Sequence, residues 1–296
     1  MTTQADRSPQ LGETYFEGVF HRMHGDRTAL IGTAIILILL LSALLAPVIT
    51  TYDPVKQNLN EMLSSPTFKH PLGTDRYGRD LLTRIIYGGR YALMIGVGVV
   101  IIQMAIGVSL GLTAGYYGGI VESIIMRLTD VMLSIPSIVL AMTIAGFLGG
   151  GVQNVIIAVG AIGWRDYTRL VRAEVLSIKE RTFVEAARAV GCGHLRIMIC
   201  HILPHIVAPV IAYSALAAGV AILWAAALSF LGLGAQPPTP EWGAMLADGR
   251  EDMREAWWIA TFPGLAIMLV VLGFNFFGDA LRNALDPKMY KAKRIS

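Results

Sequence analysis

Residues 91–121 read YALMIGVGVVIIQMAIGVSLGLTAGYYGGIV, a run of 31 residues without one Asp, Glu, Lys, Arg or His. A helix needs about 20 apolar residues to cross the hydrocarbon core of a bilayer. The run exceeds that length, and its glycines Gly107, Gly111 and Gly115 recur every fourth residue, which places them on one helix face. The segment therefore predicts a membrane-spanning helix that packs closely against another helix.

Four other windows are equally free of ionisable side chains. The five windows together cover 148 residues, half of the chain, and only 15% of all residues are charged. This pattern predicts an all-α polytopic membrane protein and excludes a soluble enzyme, a disordered chain, a collagen-like fibre and a disulfide scaffold. A membrane β-barrel is disfavoured because its strands are short and alternate in polarity. The four windows are residues 28–52, 131–164, 206–240 and 256–278.

The glycine triplet at 149–151 divides window 131–164, because three successive glycines make a poor helix interior. Counting that window as two spans gives six transmembrane helices. With both termini in the cytoplasm, the cytoplasmic segments hold 16 Lys and Arg and the main extracytoplasmic segments hold 8. This excess follows the positive-inside rule and orients the chain.

The span count divides the chain into successive segments. The net charge of +3 does not indicate a nucleic-acid partner, and Cys192 and Cys200 are expected as free thiols on the cytoplasmic side. The predicted segments are a cytoplasmic amino-terminal segment 1–28, a first transmembrane helix 29–51, an extracytoplasmic segment 52–90, a transmembrane core 91–279 with an extracytoplasmic loop 231–258, and a cytoplasmic tail 280–296.

The cytoplasmic stretch between the fourth and fifth spans predicts a helical elbow. Residues 180–190 are Ala-rich and amphipathic, and Gly191 is placed to end that helix in the left-handed conformation. Pro204 marks a break or a kink in the helix that returns to the membrane. The alternative of a zinc site at His201 and His205 is disfavoured, because no Glu follows the first His and Pro204 interrupts the turn between them.

The elbow also carries a spaced motif. Glu185-Ala186-Ala187 is followed after three residues by Gly191, and after nine more by His201-Ile202-Leu203-Pro204. This arrangement resembles the signature of permease subunits of binding-protein-dependent ABC importers, with His201 where the family has Ile. The resemblance implies a coupling helix, at about residues 182–196, that docks on a cytoplasmic ATPase. The residues that it assigns to ATPase coupling are Glu185, Ala186, Ala187, Gly191, Leu203 and Pro204.

Three further blocks narrow the resemblance. They read PLGTDRYGRDLLTRIIYGGR at 71–90, GAQPPTPEWG at 234–243 and NFFGDALRNALDP at 275–287. Their order and spacing resemble those of the second, or C-type, permease subunit of dipeptide and oligopeptide importers, over essentially residues 25–290. The implied fold is that of a type I ABC importer permease.

The first two blocks supply candidate residues outside the membrane. The charges of block 71–90 are mixed in sign, so we expect them to pair with one another as a structural network. The functional alternative is a latch on the extracytoplasmic gate or a docking surface for the binding protein. Trp242, Trp257 and Trp258 are expected either at the membrane interface or in a re-entrant loop. The candidate gate or docking residues are Asp75, Arg79, Asp80, Arg84, Pro238, Glu241 and Trp242.

The resemblance implies a set of partners. These are a homologous permease subunit forming a heterodimer, two cytoplasmic ATPase subunits that bind ATP and Mg, and an extracytoplasmic binding protein that delivers peptide. The resemblance also implies that the protein lies in the bilayer of the bacterial plasma (inner) membrane. The chain itself has no phosphate-binding loop, so it is expected to be no enzyme and to bind no cofactor or metal.

The sequence leaves the substrate open among dipeptides, longer peptides, glutathione and nickel chelates. Gln103, Gln153, Asn154 and Asn275 are polar residues near or within spans that either line a pathway or bond neighbouring helices. A secondary transporter is a distant alternative because the elbow would then have no partner. An intramembrane protease is equally distant because no His lies inside a span.

Overall fold

A computed structural model describes residues 23–285 of the chain; most of the predicted segments 1–28 and 280–296 lies outside the described residues. Within that range the chain is helical and has no strand, apart from an isolated antiparallel bridge between Thr74 and Asp80. The main helices are α1 (Arg27–Leu44), α2 (Leu81–Tyr117), α3 (Gly119–Ser134), α4 (Ser137–Leu148), α5 (Val152–Ile178), α6 (Thr182–Ala189), α7 (Leu203–Phe230), α8 (Trp242–Gly249) and α9 (Trp258–Leu285). Short helical turns are Ala46–Ile49, Leu59–Glu61 and His194–Arg196, and Ile197–Ile202 is a π-helix.

Side-chain caps fix where three of these helices begin. The carboxylates of Asp26, Asp80 and Glu241 accept hydrogen bonds from backbone N–H groups in the first turns of α1, α2 and α8. Such caps satisfy donors that no residue within the helix can bond. Capping by Asp80 starts α2 at Leu81, so this helix begins well before the apolar window 91–121 and extends for 37 residues.

The glycine stripe of α2 lies against α5, as the four-residue spacing predicts. A β-carbon built on Gly111 would lie 2.7 Å from Cβ of Val171, and one on Gly115 would lie 2.7 Å from Cβ of Val175. Such contacts are too close for any side chain, so glycine is what lets the two backbones meet. The expected close packing is confirmed, and α5 is its partner.

The region of the third predicted span is sharply bent. Ile135 is extended, Pro136 follows it, and the axes of α3 and α4 differ by 89°. The residue before a proline is biased away from the helical conformation, which explains the break. The chain here is a broken helix pair and not one straight span.

The all-α membrane class is confirmed, whereas the count of six stays a prediction. Four helical stretches of the described residues are long and apolar enough to cross a bilayer, and the bent pair α3–α4 raises this number to five. The remaining long helix, α5, has 27 residues, but charged side chains such as Arg165, Asp166 and Arg169 lower its apolar character.

Candidate functional site

The predicted elbow is built on α6. Val184 and Ala187 point inward and are buried against the same core cluster as Ile197 and Ile206, while Glu185 and Ala186 on the opposite face are exposed. This amphipathic division is what the sequence pattern predicts. The helix therefore exposes Glu185 and Ala186 on one face, while its other face packs against the membrane domain.

The end of α6 has the predicted glycine cap. Gly191 has a φ of +80°, its N–H donates to the Arg188 carbonyl, and the N–H of Cys192 donates to the Ala187 carbonyl at 3.0 Å. A residue with a side chain would be strained in this conformation. Beyond the cap, the side chains of Val190 and Leu195 are 79% and 66% exposed, so the tip of the elbow is an exposed apolar surface.

The elbow is fastened to the last turn of α2. The Tyr116 hydroxyl and His194 Nδ1 are 2.9 Å apart, and the Arg188 guanidinium lies 5.6 Å from the centre of the Tyr116 ring. Tyr116 itself is buried in the core cluster beneath α6. These contacts tie α6 and the following turn to α2, and the sequence motif gave no indication of them.

The helix is not broken at Pro204: His194–Phe230 is one continuous helical stretch of 37 residues, in which Ile197–Ile202 is a π-helix that leads into α7. The Leu203 N–H donates to the Met198 carbonyl, five residues back. Ile202 is fully buried, whereas His201, at the position where the family has Ile, is half-buried. His205 packs against Phe183 with ring centres 4.8 Å apart, and no metal-binding cluster of three or more ligands occurs between residues 23 and 285.

Asp75 is the centre of a buried charge cluster in segment 52–90. Its carboxylate accepts from the N–H groups of Tyr77 and Arg79 and from Arg79 Nε at 2.6 Å, and Arg84 Nε lies 3.5 Å away. The three charged residues are 2–4% exposed. The expected mutual pairing is therefore present, and Arg79 also reaches Asp248 of the loop 231–258 at 3.9 Å. Burial raises the pKa of Asp248, while the charge of Arg79 opposes this shift.

Arg84 and Asp80 join this cluster to the rest of the extracytoplasmic region. Arg84 Nη1 donates to the carbonyls of Pro54 at 2.7 Å and Pro238 at 3.3 Å. Asp80, the cap of α2, also lies 2.8 Å from Nδ1 of the buried His70. The cluster thus holds the segment before α2 and the loop before α8 together.

A second charge link was not predicted. Arg76 donates to Asp252 at 2.9 Å and to Glu251 at 3.0 Å, and these hydrogen bonds raise the pKa of Arg76. The two acidic residues lie in the loop that follows α8. Segment 52–90 and loop 231–258 are therefore connected by two separate sets of ion pairs.

Two of the three tryptophans are buried within the chain, so of the two expected alternatives anchoring by an exposed indole is wrong for them. Trp242 and Trp258 are 3% and 6% exposed, and their indole N–H groups donate to the carbonyls of Ile85 and Thr74. A buried indole needs such an acceptor, and both find it within this chain. Trp257 alone is exposed, at 52%.

Glu241 is buried and has a local role. Its two carboxylate oxygens accept from the N–H groups of Gly243 and Ala244 at 3.0 and 2.9 Å. Burial raises the pKa of Glu241, and these hydrogen bonds oppose the shift. Among the seven candidate gate or docking residues, Pro238 alone has an exposed side chain. The other six contact this chain and are not available as a surface.

Arg165, which no sequence motif indicates, closes the break between α3 and α4. Pro136 has no N–H, so the Met132 carbonyl four residues earlier lacks its helical donor. Arg165 Nη1 donates to that carbonyl at 2.8 Å, and Nη2 donates to the hydroxyl of Ser137. The signal available in the sequence was the proline after residue 135, which leaves a carbonyl that another side chain must satisfy.

Two known protein families match parts of this chain. Residues 107–291 match the family described as binding-protein-dependent transport system inner membrane component, and residues 14–66 match the N-terminal transmembrane domain of oligopeptide transport permease C. The first match contains the elbow and the loop 231–258. The second ends before the charged block at 71–90.

Similar proteins cover nearly the whole chain. The dipeptide transport system permease protein of Alkalihalophilus pseudofirmus is 46% identical over 91% of this chain and 89% of its own length. The di/tripeptide transport system permease protein of Pseudomonas aeruginosa is 45% identical over 90% of each chain. The glutathione transport system permease protein of Pectobacterium atrosepticum is 44% identical over 86% of this chain and 85% of its own length. The chain therefore belongs to the family of binding-protein-dependent transport system inner membrane components, and it is a permease subunit of an ABC importer.

Proposed function

We propose that this chain forms, with a homologous permease, the membrane pathway by which an ABC importer takes up di- and oligopeptides. The observation that carries the proposal is the elbow, with a buried inner face at Val184 and Ala187 and an exposed outer face at Glu185 and Ala186. A short helix that is fixed on one side and exposed on the other suits contact with a moving partner. That partner is a pair of ATPase subunits, which hold ATP and Mg and supply the chemistry.

The long helix α2 offers a direct mechanical connection for the transport cycle. Asp80 caps its beginning in the extracytoplasmic charge cluster, and Tyr116 in its last turn contacts the elbow through His194. At a rise of about 1.5 Å per residue, a helix of this length extends about 55 Å. Closure of the ATPase pair moves the elbow, and α2 transmits that movement to the extracytoplasmic side, where a binding protein delivers the substrate.

In this proposal the chain has six spans, both termini lie in the cytoplasm, and the chain binds no nucleotide. The sixth span is α5, which packs along the glycine stripe of α2 and keeps its charged residues away from lipid. Glu185, Ala186, Ala187, Gly191, Leu203 and Pro204 remain the proposed coupling residues.

Peptides are the preferred substrate class because the similar proteins named above carry dipeptides, di/tripeptides and glutathione, which is itself a tripeptide. Glutathione and nickel chelates are the alternatives, and the glutathione permeases among the similar proteins favour glutathione over nickel. Uptake of labelled dipeptide, glutathione and a nickel chelate by proteoliposomes containing the full complex separates these substrates.

The coupling proposal is tested by the charge reversal Glu185→Lys in that complex. We expect the variant to reach the membrane in normal amounts and to lose the link between ATP hydrolysis and uptake. Glu180→Lys is the matched control, because Glu180 is also exposed and lies just before α6. Equal uptake per ATP by the wild type and Glu185→Lys would remove α6 from the coupling path. Gly191→Pro, which changes the cap instead of the charge, should uncouple in the same way.

A further inference from the structure

Helix α3 has an exposed face that no part of the described chain covers. Only Ile125 and Thr129 of its 16 residues are buried. Positions 120, 124, 127 and 131 recur at intervals of three and four residues, so their side chains lie on one side of the helix. This α3 face consists of Ile120, Ile124 and Val131, which are 79%, 63% and 60% exposed, and of the exposed Arg127.

Arg127 differs from the two acidic residues of α3 because it has no partner within the described part of the chain. Glu122 accepts a hydrogen bond from Nε of Arg172 on α5 at 2.6 Å. Asp130 accepts from Arg169, also on α5, at 2.5 Å. Arg127 itself makes no ion pair and no side-chain hydrogen bond within residues 23–285. Its guanidinium is therefore available to a partner from another molecule.

Neither lipid tails nor water suits the whole α3 face. Contact with lipid tails would leave the guanidinium of Arg127 in hydrocarbon, which is costly and rare. Contact with water would leave a contiguous row of large apolar side chains exposed, which usually marks an interaction site. Helix α1 provides a contrast within the same chain, because every exposed side chain from Ala29 to Leu44 is apolar. That pattern is typical of a helix that faces lipid.

The pattern of α3 also differs from that of an amphipathic helix lying on the membrane surface. Such a helix turns a strongly charged face toward water. In α3 the carboxylates of Glu122 and Asp130 are instead paired with arginines of α5. A protein surface that combines apolar side chains with one carboxylate suits all four residues of the α3 face.

The helix itself shows which group a similar subunit could bring to Arg127. Asp130 lies one turn after Arg127, and its side chain is 61% exposed although it pairs with Arg169. When two similar subunits meet about a two-fold axis, residue i of one faces residue j of the other, and j faces i. A homologous helix with a carboxylate at the position of Asp130 would therefore meet Arg127.

We propose that the α3 face is the surface on which the homologous permease packs, with its three apolar side chains against apolar side chains of that subunit and Arg127 bonded to one of its carboxylates. The inference rests on the proposed function, which includes a homologous permease, and adds the surface and the chemistry of the contact. Helix α3 follows directly after α2, whose Tyr116 contacts His194 of the elbow. The contact between the two permeases would thus lie close to the elbow.

The first test is photocrosslinking of the whole complex in lipid nanodiscs, with p-benzoylphenylalanine in place of Ile124. We expect an adduct with the homologous permease. Adducts with lipid alone, or with no other subunit, would overturn the proposal. The same amino acid in place of Val190, which is 79% exposed at the tip of the elbow, is the control and should give an adduct with an ATPase subunit.

The second test reverses the charge of Arg127. Arg127→Glu should lower the amount of homologous permease recovered with the tagged chain by at least about tenfold, because truncating one partner of a buried charge pair speeds dissociation of an interface. Arg282→Glu is the matched control, since Arg282 is an exposed arginine near the end of α9 and undergoes the same change of charge. Arg127→Lys, which keeps the charge, should retain most of the recovery. Equal recoveries for the two Glu variants would overturn the role of Arg127.

Failure of the proposed function gives different results. A wild-type complex that contains no second permease would overturn the proposed function itself, and absence of the adduct at Val190 would count against the coupling role of the elbow. An adduct at Val190 without a permease adduct at Ile124 would overturn only the α3 contact.

Discussion

Replacing Asp75 by Asn tests whether the charged block is an internal ion-pair network or a surface for function. Asn preserves the shape of the side chain and one oxygen that accepts from the N–H groups of Tyr77 and Arg79. It removes the negative charge that faces Arg79 and Arg84, whose exposures are 3% and 2%. Both arginines would stay charged and buried, with Asp248 as a remaining counter-charge at 3.9 Å from Arg79.

The expected cost follows from this geometry. Removing one partner of a buried ion pair destabilises a protein by about 3–5 kcal/mol, because the other charge is left uncompensated. Asp248 compensates part of the charge, so we expect a loss of about 3 kcal/mol. Scaled from soluble proteins, a loss of that size lowers the midpoint of thermal unfolding by roughly 6–12 °C.

The assay is thermal unfolding of the purified complex in detergent, with Asp252→Asn as the control. Asp252 also pairs with an arginine, but the side chains of Asp252 and Arg76 are 20% and 29% exposed. Pairs of this kind contribute about 0–1 kcal/mol, so the midpoint should barely move. Equal shifts for the two variants would refute the reasoning. An unchanged midpoint for Asp75→Asn, together with lost stimulation of the ATPase by the binding protein, would make Asp75 a gate residue.

Three further outcomes are expected. Gly111→Val should weaken assembly of the complex, because overpacking at a tight contact costs about 1–3 kcal/mol. Gly146→Val should not weaken it, since a β-carbon at that position meets nothing within 4 Å. The yield of co-purified complex measures both effects. Tyr116→Phe should lower uptake per ATP without lowering abundance, because the elbow loses its 2.9 Å link to His194. Glu241→Gln should make the stability of the protein depend less on pH in the acid range. Because burial raises the pKa of Glu241 in the folded protein, the wild type loses stability as pH rises from the usual pKa of 4.5 through that raised pKa, whereas Gln does not ionise. Midpoints of thermal unfolding measured across this pH range should show the difference.

The elbow shows how much of a candidate site can be predicted from local sequence. Helix ends depend on residues within a few positions, so Gly191 predicted the end of α6 correctly, whereas Pro204 lies within a continuous helical stretch. The stripe from Gly107 to Gly115 likewise predicted a close helix contact. The sequence did not predict which helix packs against these glycines, because any apolar helix could have done so; in the structure it is α5.

The extracytoplasmic region shows the opposite case. Arg76 pairs with Asp252 across 176 positions, and the indole of Trp258 bonds to the Thr74 carbonyl across 184 positions. No local pattern carries such information, since the same side chains would suit a free surface or a lipid interface. Their burial is decided by which segments the helices bring together.

The sequence by itself therefore determined the membrane class, most of the long helices, the elbow and its motif, because apolar length, periodicity and caps act over a few turns of chain. Only the tertiary structure decided that Asp75, Glu241 and Trp242 are internal, and that Arg165 donates to the Met132 carbonyl at the break between α3 and α4. The physical reason is that burial and hydrogen-bond satisfaction depend on neighbours distant in sequence, which exist only once the helices have packed.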